Sequence, residues 1–96
     1  MATESIPFLI QRVPLLALTQ TEILAPMTCQ SVTIANGTAG DLRVISQLDG
    51  TQYLVVASNF ERVIWLPQPT SGQFRRGMIG FWLYADQAGT AILMWA

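Results

Sequence analysis

The chain contains no histidine and no lysine, and its only cysteine is Cys29. Histidine titrates near neutral pH and is the commonest protein metal ligand, so its absence excludes most hydrolytic site chemistry. One cysteine allows neither an intrachain disulfide nor a thiolate zinc cluster. We therefore expect stability to rest on packing alone, and we expect no catalytic residues, no metal and no cofactor.

Charged residues are also scarce, at 11% of the 96 residues, whereas an ordinary soluble domain has about 25%. The five basic residues are all arginines and the formal net charge is −1, so the chain lacks the basic face that nucleic-acid binding requires. Apolar residues make up 51% of the chain, which excludes a disordered tail. The composition predicts a compact domain that hides part of its surface in partners.

Targeting signals are missing from the sequence. Glu4 stands where a secretory signal needs basic residues, and Gln11 and Arg12 interrupt the apolar stretches that follow. The longest uncharged run, residues 23–40, contains Pro26 and several polar residues, so it is unlike the span of about 20 apolar residues that crosses a bilayer. We expect no signal peptide and no membrane segment.

Short segments rich in Val, Ile, Thr and aromatic residues alternate with clusters of Gly, Asn, Asp and Pro, which is typical of an all-β chain. This spacing predicts a β-sandwich or small barrel of about seven to eight antiparallel strands, and we favour a single jelly-roll-like sandwich over residues 1–96. Pro7, Pro14 and Pro26 each remove a ladder donor, so the N-terminal region is predicted to form an edge strand preceded by an extended arm, residues 1–12.

Asp49-Gly50 lies between two apolar segments, residues 42–48 and 51–57. This dipeptide suits a two-residue type I′ turn, which predicts a hairpin with Val44 opposite Val55 and Ile45 opposite Leu54. Other segments are predicted as strands from the same pattern: Cys29 to Ala35, in which Val32 and Ile34 alternate with polar residues, and Arg62 to Leu66, a short buried run.

A second hairpin is predicted near the C-terminus, where Met78 to Ala85 returns through residues 86–89 into Thr90 to Trp95. Pairing of Ala85 with Thr90 places apolar side chains on both faces of these strands. An antiparallel sheet normally keeps one polar face, so the pattern indicates either a position between two layers or a layer covered by another subunit. One face would hold Trp82, Tyr84, Ala91, Leu93 and Trp95, and the other Phe81, Leu83, Ile92 and Met94.

Three residue patterns invite a chemical function, and each has a simpler structural interpretation. Asp49-Gly50-Thr51 resembles the motif of retroviral-type aspartic proteases only in composition, and the turn explains it. Cys29 has no histidine to act as its base, so we predict a buried core residue. Asn36-Gly37-Thr38 matches a glycosylation sequon, but without a signal peptide it is better explained as a turn.

The scattered carboxylates lack the spacing of a calcium loop. Arg75-Arg76 is the one local basic cluster, and we expect it to solvate a loop or to contact an acidic partner. Trp65 and Trp95 lie near strand ends, where core burial and interface burial are both open. The candidate interface residues are Phe8, Leu9, Ile10, Trp65, Phe74, Arg75, Arg76 and Trp95.

One spacing covers roughly residues 28 to 96. It runs Cys29-x-x-Val32-Thr33-Ile34-x-Asn36, Asp41-Leu42-x-Val44, Tyr53-Leu54-Val55-Val56, Glu61-x-Val63, Phe81-Trp82-Leu83-Tyr84-Ala85 and Gly89-Thr90-Ala91. This pattern of strands and turns resembles the small β-sandwich virion structural proteins of tailed bacteriophages.

The resemblance implies a non-enzymatic protein located in the virion and made in the host cytoplasm. Its expected role is that of a capsid decoration or cement protein that clamps neighbouring capsid subunits. The implied partners are other copies of the chain, with a trimer favoured, and the major capsid protein or other virion proteins. A neck or tail component and a carbohydrate- or receptor-binding β-sandwich are the alternatives.

Overall fold

A computed structural model of the chain describes residues 8–26, 29–46, 53–65 and 79–96. The described residues form eight β-strands and no helix. The all-β prediction is therefore confirmed. The strands are β1 (Leu9–Leu15), β2 (Gln20–Leu24), β3 (Ser31–Asn36), β4 (Leu42–Ser46), β5 (Tyr53–Val56), β6 (Glu61–Trp65), β7 (Ile79–Ala85) and β8 (Gly89–Trp95).

The strands form two four-stranded antiparallel sheets. Sheet I has the order β1-β8-β3-β6, and sheet II has the order β2-β7-β4-β5. Strand β1 pairs with β8, β2 with β7, β3 with β6 and β4 with β5. This nested pairing is that of one long hairpin rolled up so that its successive strand pairs fall alternately in sheets I and II, which is the jelly-roll arrangement.

The core lies between the two sheets and follows the two-residue period of each strand. In β3, Val32 and Ile34 are fully buried while the residues between them are half-exposed, as the sequence predicts. Leu42 and Leu83 are fully buried on the sheet II side, facing Leu93 on the sheet I side. The predicted sandwich is confirmed by this layer of apolar side chains.

The β3–β4 connection is held by the side chain of Asn36, which is buried. Its Nδ2 donates hydrogen bonds to the carbonyl oxygens of Gly40 and Val56, each at 2.8 Å. Its Oδ1 accepts from the backbone nitrogen of Thr38 at 2.9 Å and from the Thr38 hydroxyl at 2.7 Å. Because Val56 belongs to sheet II and Asn36 to sheet I, this amide ties the two sheets together at one end. Asn36 is thus the last residue of β3 rather than a turn residue, and its side chain holds the bend at residues 38–40.

The predicted register of the β4·β5 pair is wrong by one residue. Val44 pairs with Leu54, and Ile45 pairs with Tyr53. A two-residue turn leaves an even number of residues between paired positions, whereas the seven residues 46–52 separate Ile45 from Tyr53. The turn itself, residues 47–52 with Asp49-Gly50, lies outside the described residues.

The predicted C-terminal hairpin is also wrong, although both of its strands exist. Strand β7 lies in sheet II and β8 lies in sheet I, so the chain crosses between the sheets after Ala85 instead of turning back on the same sheet. As a result Phe81 and Leu83 face the core together with Leu93 and Trp95. The sequence did not separate the two cases, because both faces of both strands are apolar.

The N-terminal region contains one confirmed prediction and two corrections. Strand β1, which includes Pro14, is at the edge of sheet I, as predicted. The prediction gives one edge strand in this region, whereas β2 forms a second, at the edge of sheet II. Residues 9–12, however, belong to β1 and pair with β8, so they are not part of an extended arm. The predicted buried run, residues 62–66, is also wrong over residues 62–65, since β6 is an edge strand with mostly exposed side chains. Leu66 lies outside the described residues.

Candidate interaction surfaces

Each sheet turns one face to the core and the other outward. The outer face of sheet I, hereafter face I, is built of residues that alternate with the core positions of β1, β8, β3 and β6. Ile10, Met94, Thr33 and Val63 form one row across all four strands. The neighbouring row is Arg12, Ile92, Ala35 and Glu61.

Face I is apolar and exposed. On β6, Trp65 is 70% exposed and Val63 is 54% exposed, and on β1 at the opposite edge Ile10 is 58% exposed. Ile92 and Met94 extend the exposed apolar surface across the middle of the sheet. None of the described residues covers it. With Phe8, which immediately precedes β1, these side chains expose on the order of 600 Å², at the upper limit of the largest apolar patch on a typical monomer.

The charges of face I lie at its two edges. Arg12 on β1 and Glu61 on β6 are the outermost residues of one row, with Ile92 and Ala35 between them. Three strand spacings of about 4.8 Å put their Cα atoms ~14 Å apart. Both side chains are exposed. The outward-facing side chains therefore put a positive charge at one edge of face I and a negative charge at the other, while Arg62 points to the opposite side of β6.

The outer face of sheet II, hereafter face II, is aromatic. Trp82 and Tyr84 of β7 point outward, and Tyr53 of edge strand β5 lies on the same face. The guanidinium carbon of Arg43 is 5.2 Å from the centre of the Tyr53 ring and 5.4 Å from that of Tyr84. A cation held between two rings in this way is attracted by both. Arg43 thus covers ring faces that a flat ligand would otherwise contact.

The candidate interface residues do not all lie on one surface. Ile10 and Trp65 lie on face I, and Phe8 lies beside it. Leu9 alternates with Ile10 and so points to the other side of β1. Phe74, Arg75 and Arg76 are outside the described residues.

Trp95 requires a correction, because its side chain is fully buried in the core. Its indole nitrogen donates a hydrogen bond to Oε1 of Gln11 at 3.1 Å, so the polar atom of the ring is satisfied inside the protein. Trp95 is a core residue and offers nothing to a partner.

Arg12, Glu61, Val63, Ile92 and Met94 complete face I and were not among the candidates. The short apolar run at residues 62–66 gives no sign in the sequence that Val63 points outward. The signal that identifies it is alternation within β6, since Ile64 packs against the core and its neighbours therefore point outward.

Among the described residues, the chemical candidates Cys29 and Asn36 do not form a reactive site, and Asp49-Gly50-Thr51 lies outside the described ranges. Cys29 is buried, as predicted, and desolvation raises the pKa of its thiol. Within the described ranges, no group of three His, Cys, Asp or Glu residues is placed to hold a metal ion. Asn36 of the sequon is buried with both amide hydrogens donated to carbonyl groups.

Comparison of the chain with protein families, with characterised proteins and with solved structures found no match. In the part of the chain that the structure describes, no helix is long and apolar enough to cross a membrane.

Proposed function

We propose that the chain is a non-enzymatic structural protein of a bacteriophage virion. Its role is that of a capsid decoration protein, which binds as a homo-oligomer across neighbouring capsid subunits and stabilises the head. The observation that carries this proposal is face I, an exposed apolar sheet surface on a chain that has few charges elsewhere.

Two physical arguments support an assembled state. A monomer gains nothing from an exposed patch containing Ile10, Val63 and Trp65 at one sheet face, because each such side chain orders water and promotes aggregation. A permanently assembled protein buries this surface against its neighbours, as obligate interfaces do. The scarcity of charge fits the same explanation, since less of the surface needs to be soluble once the protein is in place.

The fold is compatible with the proposal but is not its basis. Jelly rolls occur in viral capsid domains and in lectins, and a fold hosts many functions. The support comes from face I, which is mostly apolar, carries its charges at its edges and has an open hollow lined by Ala35, Phe60 and Ile92 beside Glu61. Such a surface suits another protein better than it suits a small ligand, for which a concave site is expected.

The experiment is to produce virions from the genome that encodes the chain, purify them on a density gradient and determine their composition by quantitative mass spectrometry. The chain is expected in the particles at a fixed copy number, and cryo-electron microscopy should place it on the head. Particles lacking the gene should lose their DNA at a lower temperature. Absence of the chain from purified virions would overturn the proposal, and a location at the neck or tail would replace the head role.

Face II favours a second candidate, a carbohydrate- or receptor-binding module. Trp82 places its ring on this face beside Glu22, with which it pairs across β2 and β7, while Tyr53 and Tyr84 hold Arg43 between their rings. An aromatic surface next to a carboxylate can combine apolar contact with a hydrogen-bond acceptor. Binding of the pure protein to a glycan array, lost in Trp82→Ala and retained in Trp65→Ala, would establish this function.

A further inference from the structure

We infer that face I is a two-fold interface between two copies of this chain, with the symmetry axis parallel to the strands and passing between β8 and β3. The inference deepens the proposed function, on which it rests for its role in assembly, by naming the partner of face I. The contact pairs Arg12 of each copy with Glu61 of the other.

The charges select this symmetry. An axis parallel to the strands places β1 of one copy over β6 of the other, so Arg12 lies opposite Glu61 of the second copy, and the pair occurs twice. An alternative axis is parallel to the sheet but perpendicular to the strands, and it passes through the row of Ile10 and Val63. It places the Arg12–Glu61 row of one copy over the opposite end of the strands of the other copy. Glu61 would then face the exposed ring of Trp65 without a cation, and charged groups buried without partners are costly. An axis across the strands through the charged row itself would put Arg12 opposite Arg12.

Side-chain sizes agree with the same axis. Within the row of Ile10, Met94, Thr33 and Val63, the axis places Met94 opposite Thr33 of the second copy. In the charged row it places Ile92 opposite Ala35. Large residues of β8 therefore face small residues of β3 at both positions, as interdigitating sheet layers require. At the outer strands, Ile10 faces Val63, two side chains of similar size.

The available area is sufficient for a specific but modest interface. Covering the apolar patch on both copies removes on the order of 1,200 Å² from water, which is the lower end for stable protein–protein contacts. The expected dimer therefore dissociates on dilution. A two-fold contact closes on itself as a dimer, and larger closed assemblies need a second, different contact.

The test is a charge exchange followed by sedimentation velocity of the full chain across a concentration series. Arg12→Glu places two acids opposite each other twice per dimer, and Glu61→Arg does the same with two bases. Each variant alone is expected to dissociate at least tenfold more readily than the wild type. An equimolar mixture of the two variants restores both oppositely charged pairs, so it should form a heterodimer of near wild-type affinity, and so should the double variant R12E/E61R with itself.

A matched pair of valines separates face I from face II. Val63→Asp and Val55→Asp each place a carboxylate on an exposed valine of an edge strand, 54% and 43% exposed on faces I and II respectively. The first should abolish the dimer and the second should leave it intact, while circular dichroism verifies that both variants fold.

A wild-type chain that stays monomeric at millimolar concentration would overturn the two-fold interface. So would an oligomer that survives Val63→Asp, or mixed charge variants that fail to associate. None of these results bears on the presence of the chain in virions, so the decoration proposal is tested separately by the composition of the particles.

Discussion

The ring of Trp95 stacks on the ring of Phe81, with centroids 5.8 Å apart and planes inclined by 20°. Trp95 belongs to sheet I and Phe81 to sheet II, so this contact joins the two layers across the interior. The relationship also shows why the C-terminal strands do not form a hairpin. In the predicted C-terminal hairpin the rings of Trp95 and Phe81 point to opposite faces of one sheet. In the structure their strands lie in different sheets, and the rings meet between them.

Trp95→Ala is expected to lower the free energy of unfolding by about 3–5 kcal/mol, because it opens a cavity between the sheets and leaves Gln11 without its indole donor. Trp65→Ala is the control, since its side chain is exposed, and it should cost less than about 1 kcal/mol. Urea unfolding followed by circular dichroism at a concentration where the chain is monomeric measures both. Equal losses in the two variants would contradict the buried placement of Trp95.

Asn36→Asp is expected to lower the free energy of unfolding by about 3 kcal/mol or more at neutral pH. The substitution removes both amide hydrogens and leaves a buried carboxylate against the carbonyls of Gly40 and Val56. The new carboxyl should have a folded-state pKa above its unfolded value. The variant is therefore least impaired below the unfolded pKa and loses stability as pH rises through the folded pKa.

The matched control is Asn59→Asp. Asn59 is exposed and has a φ of 65°, a conformation that aspartate tolerates almost as well as asparagine. Unfolding curves at several pH values should show the added pH dependence in the Asn36 variant alone. A parallel pH dependence in both variants would mean that Asn36 does not carry the bridge between the sheets.

Gly37→Ala is expected to destabilise the fold by about 2–4 kcal/mol, because a Cβ at this position would clash with the backbone oxygen of Thr90. Strands β3 and β8 would have to separate at this end. In Gly40→Ala the added Cβ meets the Cγ of Gln87 at 2.9 Å, and this exposed side chain can turn away. Gly40→Ala should therefore have a clearly higher melting temperature than Gly37→Ala. The reverse order would argue against the close approach of Gly37 to the backbone of Thr90.

Leu18→Gly is expected to be at least about 1 kcal/mol more stable than Leu16→Gly. Leu18 has a φ of 55°, a conformation that costs a residue with a Cβ about 1–2 kcal/mol and costs glycine little. Both leucines are exposed in the connection between β1 and β2, so the greater freedom of glycine in the unfolded chain affects both variants alike. Denaturant midpoints of the two variants give the difference directly, and equal midpoints would mean that Leu18 carries no strain.

The sequence was sufficient for the fold class because period-two alternation is local. The alternation of apolar and polar residues over four neighbouring positions places Val32 and Ile34 in the core. The residue type alone predicts that Cys29 is buried. Pro14 correctly indicated an edge strand, since a missing donor excludes a central position. Each of these inferences uses information that lies within one strand.

The remaining features depend on contacts between distant strands. The side of β6 that carries Val63 is settled by the packing of Ile64 on the core. The sheet to which β8 belongs depends on β1, about 80 residues away in the chain, with Ile10 opposite Met94. Face I combines residues from four strands, so no local window contains it. The one-residue error at Val44 has the same origin, because turn chemistry alone had fixed the register.

The position of β8 has a consequence for synthesis on the ribosome. It lies between β1 and β3, so sheet I cannot close until Trp95 has left the exit tunnel. Until then β1 has no ladder partner in sheet I, and the apolar residues of β1 and β3 are exposed to solvent or to chaperones. Sheet I therefore forms only after β8 has been made, and pairing across such long stretches of chain places the protein among slow folders, on the order of milliseconds to seconds.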